Sequence, residues 1–361
     1  MTNAPGGPAS TGVATGHAIS PDSGEHWAAE GAWQVAEGLH RIPLPLPMDA
    51  LKAVNVYVLE ADDGLTLVDG GWSIEIARDL LEKSLRSVGY GFGDIRRFLV
   101  THVHRDHYTM ASVLGAEFGA EVLLGRGEEP ALALLNDAAD LDESPFLGVL
   151  RTAGAAEIAE QWAAGHDGEL PDPADWRRPT RWLEGDERFT VGRRTLDAVH
   201  TPGHTPGHYV YADVADELLF AGDHVLPTIT PSIGFTVPAV DQPLGHFMAS
   251  LTRVRALPDL RILPAHGPVA PSSHARVDEL LAHHEHRLDL CLASLKERGR
   301  VTSLVVAKDL GWTRHERAFA ELDPFSQGMA AMETKAHLEL LVARGQATAV
   351  EDADGVLFAI A

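Results

Sequence analysis

From Trp33 onward, short apolar runs bounded by turn residues predict a series of β-strands. A helical apolar spacing over residues 74–88 interrupts them, with Ala77, Leu81 and Leu85 on one face. The strands predicted in this first part are residues 38–46, 54–60, 64–71, 98–102 and 121–125. Strands that begin to alternate with helices indicate sheets covered by helices, and therefore an α/β fold.

The pattern changes over residues 128–178. Two helix-like segments, separated by acidic and proline-rich turns, indicate a helical insertion here, which we expect to line or cover a pocket. Strand patterns return after the insertion, over residues 194–200, 208–211 and 217–223.

A different pattern fills residues 272–361. It predicts a long amphipathic helix over 277–298, a second helix over 332–344 and a hairpin that turns at Asp354-Gly355, an order similar to that of a winged helix. The chain is therefore expected to contain a disordered N-terminal tail and two domains. Their predicted boundaries are 1–30 for the tail, 31–271 for the main domain and 272–361 for a winged-helix-like α+β domain.

Composition limits the partners and the location. The formal net charge of the 361 residues is −23, which disfavours nucleic acid and anionic lipid as partners. Cys291 is the single cysteine, so an intrachain disulfide is excluded, and we expect this residue to pack in the core. Apolar runs stay well short of the ~20 residues that a membrane span needs, and the first residues do not follow the pattern of a secretory signal. We therefore predict a cytoplasmic protein without a membrane segment.

The candidate chemistry starts at the end of the predicted strand 98–102. Four ligand-type side chains, His102, His104, Asp106 and His107, lie within six positions. A regular helix or strand cannot point all four the same way, whereas a strand-to-loop turn allows them to converge. Imidazole and carboxylate suit zinc and other first-row divalent ions, so the sequence predicts a metal site here.

Three later segments add candidate ligands. His204 lies in the turn Thr-Pro-Gly-His-Thr-Pro-Gly-His, Asp223 ends an apolar strand, and His266 stands in the segment Pro-Ala-His-Gly. Each is a weak signal alone, because a histidine in a loop is more often a surface residue. In this order, behind the first group, they strengthen the prediction of a metal site.

The order of these motifs resembles the metallo-β-lactamase superfamily. His-x-His-x-Asp-His is followed by Gly-His-Thr, Gly-Asp and Ala-His-Gly, and Asp69 at the end of an early strand matches the first acidic motif. The resemblance covers residues 33–269 and implies a metallo-hydrolase with an αββα sandwich, whose site lies at one edge of two facing sheets. The winged-helix-like end is similar to that of hydrolases related to beta-lactamase-like protein 2.

The resemblance also implies two divalent metal ions, with zinc as the default and iron or manganese as alternatives. The implied ligands are His102, His104 and His204 for the first ion, Asp106, His107 and His266 for the second, and Asp223 bridging both. Asp69 would orient a ligand from outside. A hydroxide bridging the ions would attack the substrate, and we expect Asp106 to orient it and to pass a proton to the leaving group.

Other histidines receive lesser roles. We expect His208 to be structural, and His224 to hydrogen-bond the oxyanion of the substrate, with a supporting structural role as the alternative. Residues 283–286, His-His-Glu-His, look like a metal tract, but neighbouring helical positions diverge by about 100°. We interpret them as a polar helix face.

The third motif is similar to that of glyoxalase II and related thioester hydrolases. It favours hydrolysis of a thioester or ester of a small acyl group. The alternatives are a nuclease or phosphodiesterase acting on single-stranded RNA, as in some relatives with a winged-helix-like end, and a lactonase. Residues 272–361 carry ten Lys and Arg against fourteen Asp and Glu, without a basic stripe, which disfavours the nuclease. This region is then expected to pack on the main domain or to form a homodimer.

Overall fold

We describe the chain from a computed structural model, which covers residues 27–47, 51–136, 143–165, 172–313 and 315–361. Most of the predicted tail, residues 1–26, lies outside the described residues. Trp27 is buried, and its carbonyl oxygen accepts a hydrogen bond of 2.7 Å from Arg41. Trp27 is therefore part of the packed structure, although it lies within residues 1–30, which were predicted to be a disordered tail.

The first sheet has seven strands within the described residues, in the order β1-β2-β3-β4-β5-β6-β7. Its strands are β1 (Trp33–Ala36), β2 (Leu39–Pro45), β3 (Ala53–Ala61), β4 (Gly64–Val68), β5 (Ile95–Leu99), β6 (Glu121–Gly125) and β7 (Arg181–Leu183). Pairs up to β4 are antiparallel and the later pairs are parallel. Parallel neighbouring strands need a crossover connection, and two helices that pack on this sheet provide it. These are α1 (Glu75–Ser87) and α2 (Arg105–Phe118).

The second sheet has the order β12-β11-β10-β9-β8. Its strands are β8 (Glu187–Val191), β9 (Arg194–His200), β10 (Tyr209–Asp213), β11 (Leu218–Gly222) and β12 (Arg261–Pro264). All its pairs are antiparallel except β11 with β12. Helix α6 (Pro243–Arg255) leads into β12 and packs on the outer side of this sheet together with α7 (Ser273–Arg298).

Side chains of the two sheets meet in one apolar cluster. Tyr57 of the first sheet contacts Phe220 of the second edge to face, with ring centroids 5.4 Å apart. The hydroxyl of Tyr57 also donates to the carbonyl of Pro264 over 2.8 Å. Helices on both outer faces complete four layers, which confirms the predicted α/β sandwich of the αββα type.

The segment predicted as an insertion contains α3 (Glu129–Asn136), α4 (Pro145–Thr152) and α5 (Ala156–Gly165). Trp162 of α5 donates through Nε1 to the carbonyl of Pro324 over 2.9 Å, and Ser303 donates to the carbonyl of Ala153 over 3.0 Å. These bonds attach α4 and α5 to the last part of the chain. Apolar side chains from both parts lie in one core cluster.

The last part of the chain consists of α7, two further helices and a small sheet. The elements after α7 are β13 (Val301–Thr302), α8 (Ser303–Asp309), α9 (Pro324–Ala343), β14 (Ala347–Asp352) and β15 (Gly355–Ile360), and the strands have the order β13-β15-β14. Helix α9 begins earlier than predicted, because Asp323 caps it by accepting from the Ser326 N–H over 3.0 Å. A winged-helix domain at this end stays a prediction. In the described part of the chain, no helix has the length and apolar character that crossing a membrane requires.

Candidate metal centre

Four of the seven predicted ligands come from the connection between β5 and α2. The connection itself carries His102 and His104, and the first turn of α2 carries Asp106 and His107. The backbone N–H of His107 donates to the carbonyl of His104 over 3.0 Å, which starts the helix. The motif therefore forms a strand-to-helix turn instead of the predicted strand-to-loop turn.

A three-histidine cluster is formed by His102, His104 and His204. Nδ1 of His104 lies 2.9 Å from Nε2 of His102 and 3.2 Å from Nε2 of His204. Three nitrogens bound to one tetrahedral ion at 2.0–2.1 Å would be about 3.3 Å apart. The spacing of the cluster is close to that value.

A second cluster, here called the mixed cluster, is formed by Asp106, His107 and His266. One oxygen of Asp106 lies 3.4 Å from Nε2 of His266 and 3.6 Å from Nε2 of His107. The structure thus brings together side chains that are far apart in the chain, two from the first turn of α2 and one from the segment after β12.

Asp223 lies between the two clusters. Its Oδ1 is 3.4 Å from Nε2 of His266 and 3.7 Å from Nε2 of His107, whereas its Oδ2 is 3.5 Å from Nε2 of His204. One carboxylate oxygen therefore faces each cluster. This placement suits a bridging ligand.

Hydrogen bonds to groups outside the clusters fix which ring nitrogen three of the predicted ligand histidines turn toward the clusters. Nδ1 of His107 bonds the carboxylate of Asp69 over 2.9 Å, Nδ1 of His266 bonds the carbonyl of Ala53 over 2.9 Å, and Nδ1 of His204 bonds the carbonyl of Ser232 over 2.8 Å. An ionised carboxylate or a carbonyl only accepts, so each Nδ1 carries the proton. Each Nε2 is then the nitrogen that faces the clusters and that can offer its lone pair to a bound metal ion.

Asp69 connects β4 to the ligand-bearing turn. It is buried, and it accepts from the backbone N–H of Thr101 over 2.7 Å and from the Thr101 hydroxyl over 3.1 Å, besides its bond to His107. Its own φ of 62° lies in the left-handed region, and Gly70 follows at a point where a Cβ would come within 2.4 Å of the Ala111 backbone nitrogen. Close packing of β4 on α2 therefore fixes the carboxylate.

The clusters differ in charge. Burial opposes charge on His107, but Asp106, Asp69 and Asp223 outweigh it and raise the pKa of His107 to about 9. Burial likewise opposes ionisation of Asp106, yet His107 and His266 hold its pKa below the usual range. In the three-histidine cluster, burial and the neighbouring His204 lower the pKa of His104 to about 3. That cluster offers neutral imidazoles, the form that binds a metal ion.

Several atoms of the site that could bind a metal ion are buried without a hydrogen-bond partner among the described residues. They are Nε2 of His107, Oδ1 of Asp223 and Nε2 of His266. Buried polar atoms normally have a partner, because leaving one unpaired costs about 1–3 kcal/mol. All three point into the space shared with Asp106, so the residues fit a divalent cation held at the mixed cluster.

His208 and His224 lie behind the clusters. Nε2 of His208 accepts from the backbone N–H of Asp223 over 3.2 Å, and its Nδ1 lies 2.9 Å from the Thr201 hydroxyl. His208 thus supports Asp223 through the backbone. His224 is fully buried and packs edge to face on Phe247, with ring centroids 4.9 Å apart. Its bond to a substrate oxyanion stays a prediction.

The tract 283–286 differs from the prediction. The interpretation as a polar helix face is wrong for His284, which is fully buried and places Nδ1 3.2 Å from Nε2 of His337 on α9. Helix α9 covers this side of α7, which the local pattern does not reveal. Cys291 is buried in the apolar core, as predicted.

Sequence reasoning missed the groups that hold the ligands in place. The carbonyls of Ala53 and Ser232 belong to the backbone and have no signature in the sequence. Glu128 is a buried carboxyl that hydrogen-bonds the loop of His204. A carboxyl preceded by the spaced glycines Gly125 and Gly127, directly after a strand, is the signal that could have found it.

Comparisons with known proteins agree with this geometry. A family model described as "Metallo-beta-lactamase superfamily" matches residues 50–266, a segment that contains all seven predicted ligands. The curated "Probable metallo-hydrolase YqjP" of Bacillus subtilis (strain 168) is 24% identical over 325 residues, which cover 88% of this chain and 96% of the relative.

Two further similarities concern a named activity and the fold. "Atrochrysone carboxyl ACP thioesterase AgnL7" of Paecilomyces divaricatus is 33% identical over 140 residues, which cover 38% of this chain and 41% of the relative. The crystal structure of a metallo-beta-lactamase family protein, TTHA1429 from Thermus thermophilus, superposes with a TM-score of 0.73 at 27% identity. That superposition covers 91% of this chain and 100% of the other.

Proposed function

Because the chain belongs to the metallo-beta-lactamase superfamily and is a metallo-hydrolase, we propose that it uses two divalent metal ions to hydrolyse thioesters or esters of small acyl groups. The observation that carries the proposal is the pair of adjacent clusters with Asp223 between them. Donor atoms of the mixed cluster and of Asp223 are buried without another partner among the described residues. Such an arrangement is costly unless cations occupy it.

The proposal assigns a role to each ligand. The first ion is assigned to His102, His104 and His204, the second to Asp106, His107 and His266, and Asp223 to both. Zinc is the proposed ion, since nitrogen and carboxylate donors in this number suit it. Bound ions would supply Lewis acidity at the scissile carbonyl and a water acidic enough to ionise near neutral pH.

Asp106 is the proposed proton carrier. Its side chain is 14% exposed, against 9% for Asp223 and 0% for His107, so it is the carboxylate of the site with the best access to incoming water. It would orient the attacking hydroxide and take the remaining proton of that oxygen once the new C–O bond has formed. It would then give that proton to the leaving sulfur or oxygen as the acyl C–S or C–O bond breaks.

Two observations support a thioester as the substrate. The turn that holds His204 is similar to that of glyoxalase II, and a relative that matches part of the chain is named an acyl carrier protein thioesterase. A thiolate is also a good leaving group and depends little on a proton donor. One carboxyl is therefore sufficient to move the proton.

The test combines metal analysis with a substrate panel of acyl-CoA thioesters, S-D-lactoylglutathione, homoserine lactones, nitrocefin and single-stranded RNA. We expect two ions per chain and thioester turnover that a chelator abolishes. Asp106→Ala should lower turnover at least about 100-fold, the lower end for loss of an acid–base group. Asp197→Ala is the control, because Asp197 pairs with Arg188 on the second sheet, away from the clusters. RNA cleavage without thioester turnover, or fewer than two ions, would contradict the proposal.

A further inference from the structure

Glu128 is a buried carboxyl outside both clusters. It ends a short 3-10 turn, Arg126–Glu128, between β6 and α3, and its exposed fraction is 0%. The hydroxyl of Thr205 donates to its Oε1, and the backbone N–H of Gly207 donates to the same oxygen over 3.1 Å. Its other oxygen, Oε2, is buried without a hydrogen-bond partner among the described residues.

Both donors belong to the loop that carries His204, since Thr205 directly follows His204 and Gly207 stands three positions after it. One carboxyl thus holds this loop through two hydrogen bonds. The mixed cluster has other supports, since His107 is held by Asp69 and His266 by the carbonyl of Ala53.

The backbone around Glu128 packs directly on the His204 loop. A Cβ at Gly125 would lie 2.0 Å from the carbonyl oxygen of Gly207, and one at Gly127 would lie 2.5 Å from that of Pro206. A Cβ at Gly207 would lie 2.6 Å from the backbone nitrogen of Glu128. Glycine at these positions allows the two backbones to touch, so the carboxyl is held at a fixed distance from the loop.

We infer that Glu128 is a positioning residue that fixes the His204 loop, and thereby sets the metal affinity of the three-histidine cluster. The inference rests on the proposed function, because it uses the assignment of an ion to that cluster. Outer partners of metal ligands contribute about 10- to 100-fold to metal affinity. Since both hydrogen bonds that Glu128 accepts come from the His204 loop, which carries none of the three residues of the mixed cluster, its loss should act on one of the two sites.

Two substitutions separate positioning from general stability. Glu128→Ala removes the acceptor for Thr205 and Gly207. Glu128→Gln keeps an oxygen in the place of Oε1, and it suits the pocket because burial raises the pKa of Glu128 to about 8 and keeps the carboxyl largely neutral at pH 7. Glu333→Ala is the matched control, since Glu333 on α9 is a half-buried glutamate whose pKa burial also raises, to about 7.

The experiment measures two Zn²⁺ dissociation constants for the full chain by competition with a chromophoric chelator. His104→Ala identifies the constant that belongs to the three-histidine cluster. We expect Glu128→Ala to raise that constant about 10- to 100-fold and to leave the constant of the other site within threefold of the wild type. Glu128→Gln should keep both constants close to their wild-type values. Glu333→Ala should change neither constant. Thr205→Val, which retains Glu128, should raise the same constant by a smaller factor.

A second readout needs no metal. In the metal-free protein, amide hydrogen exchange at Gly207 should be faster in Glu128→Ala than in Glu128→Gln. Unchanged zinc constants in Glu128→Ala and Thr205→Val, or a parallel rise of both constants as in a general loss of stability, would overturn the inference. A wild-type chain that binds no zinc would overturn the proposed function as well, whereas normal wild-type binding with unaffected variants overturns the inference alone.

Discussion

Replacing Asp69 by asparagine should weaken zinc binding at the mixed cluster and also destabilise the metal-free protein. The side-chain oxygen of the new asparagine can still accept from the backbone N–H of Thr101, which lies 2.7 Å from Asp69 in the structure. The amide nitrogen then takes the place of the oxygen that faces Nδ1 of His107 at 2.9 Å. Two donors cannot bond each other, so His107 either loses its partner or moves its proton to Nε2.

Either response weakens the second site. A proton on Nε2 occupies the lone pair that a metal ion needs, and a ring without its partner is no longer oriented. The expected cost is about 10- to 100-fold in zinc affinity for the loss of such an outer partner, or about 1.4–2.7 kcal/mol. Stability of the metal-free protein should fall by about 1.5–3 kcal/mol, the contribution of one hydrogen bond to a charged group.

The assay is Zn²⁺ competition together with urea unfolding of the metal-free protein. Asp213→Asn is the control, because Asp213 is a buried carboxylate that pairs with Arg194 over 2.7 Å in the second sheet, away from the clusters. Weakening this pair should cost a comparable amount of stability while both zinc constants stay unchanged. Zinc constants of Asp69→Asn within threefold of the wild type, or an equal loss in Asp213→Asn, would refute the reasoning.

Three further changes have expected outcomes. Removing zinc should lower the midpoint of thermal unfolding by several degrees, since free ion at 100 times its dissociation constant adds about 2.7 kcal/mol; a midpoint independent of zinc would contradict the site. Gly70→Ala should cost about 1–3 kcal/mol in urea unfolding, because its Cβ would lie 2.7 Å from that of Ala111, whereas Gly91→Ala, whose Cβ meets nothing within 4 Å, should be neutral. Burial raises the pKa of Glu128 from 4.5 to about 8, so between these values the native protein binds more protons than the unfolded chain and loses stability as the pH rises. Metal-free Glu128→Gln should lack this component, up to about 1.4 kcal/mol per pH unit, and equal slopes in both proteins would argue against it.

Elements with a local signal could be predicted from the sequence. Strand β3 is an apolar run and β4 ends at turn residues, so both were expected at nearly their observed bounds. Helix α2 was not predicted, because residues 107–112 are all buried and the helix lacks the polar face that periodicity detects. Strand β7 was missed because its three residues are too short for a pattern.

The candidate site follows the same division. The candidate ligands could be named because their side chains carry the motif, and the structure brings all seven together. Their supports could not be named, because the carbonyl that holds His266 belongs to Ala53, 213 positions away, and any residue type supplies a carbonyl. His284 was misjudged because its burial depends on α9, which is remote in the chain.

The shared core of α4, α5 and α9 limits how this chain can be divided into fragments that fold. Leu150 and Ile158 lie in one apolar cluster with Met332 and Leu338, so a cut at residue 272 would leave part of the hydrolase without its packing partners. The segment with α4 and α5 and the last part of the chain with α9 therefore depend on each other for packing. A chimera in which one of these segments is replaced by that of a relative should fold only when the other is replaced as well. Recombination between such genes is therefore expected to keep the two segments together.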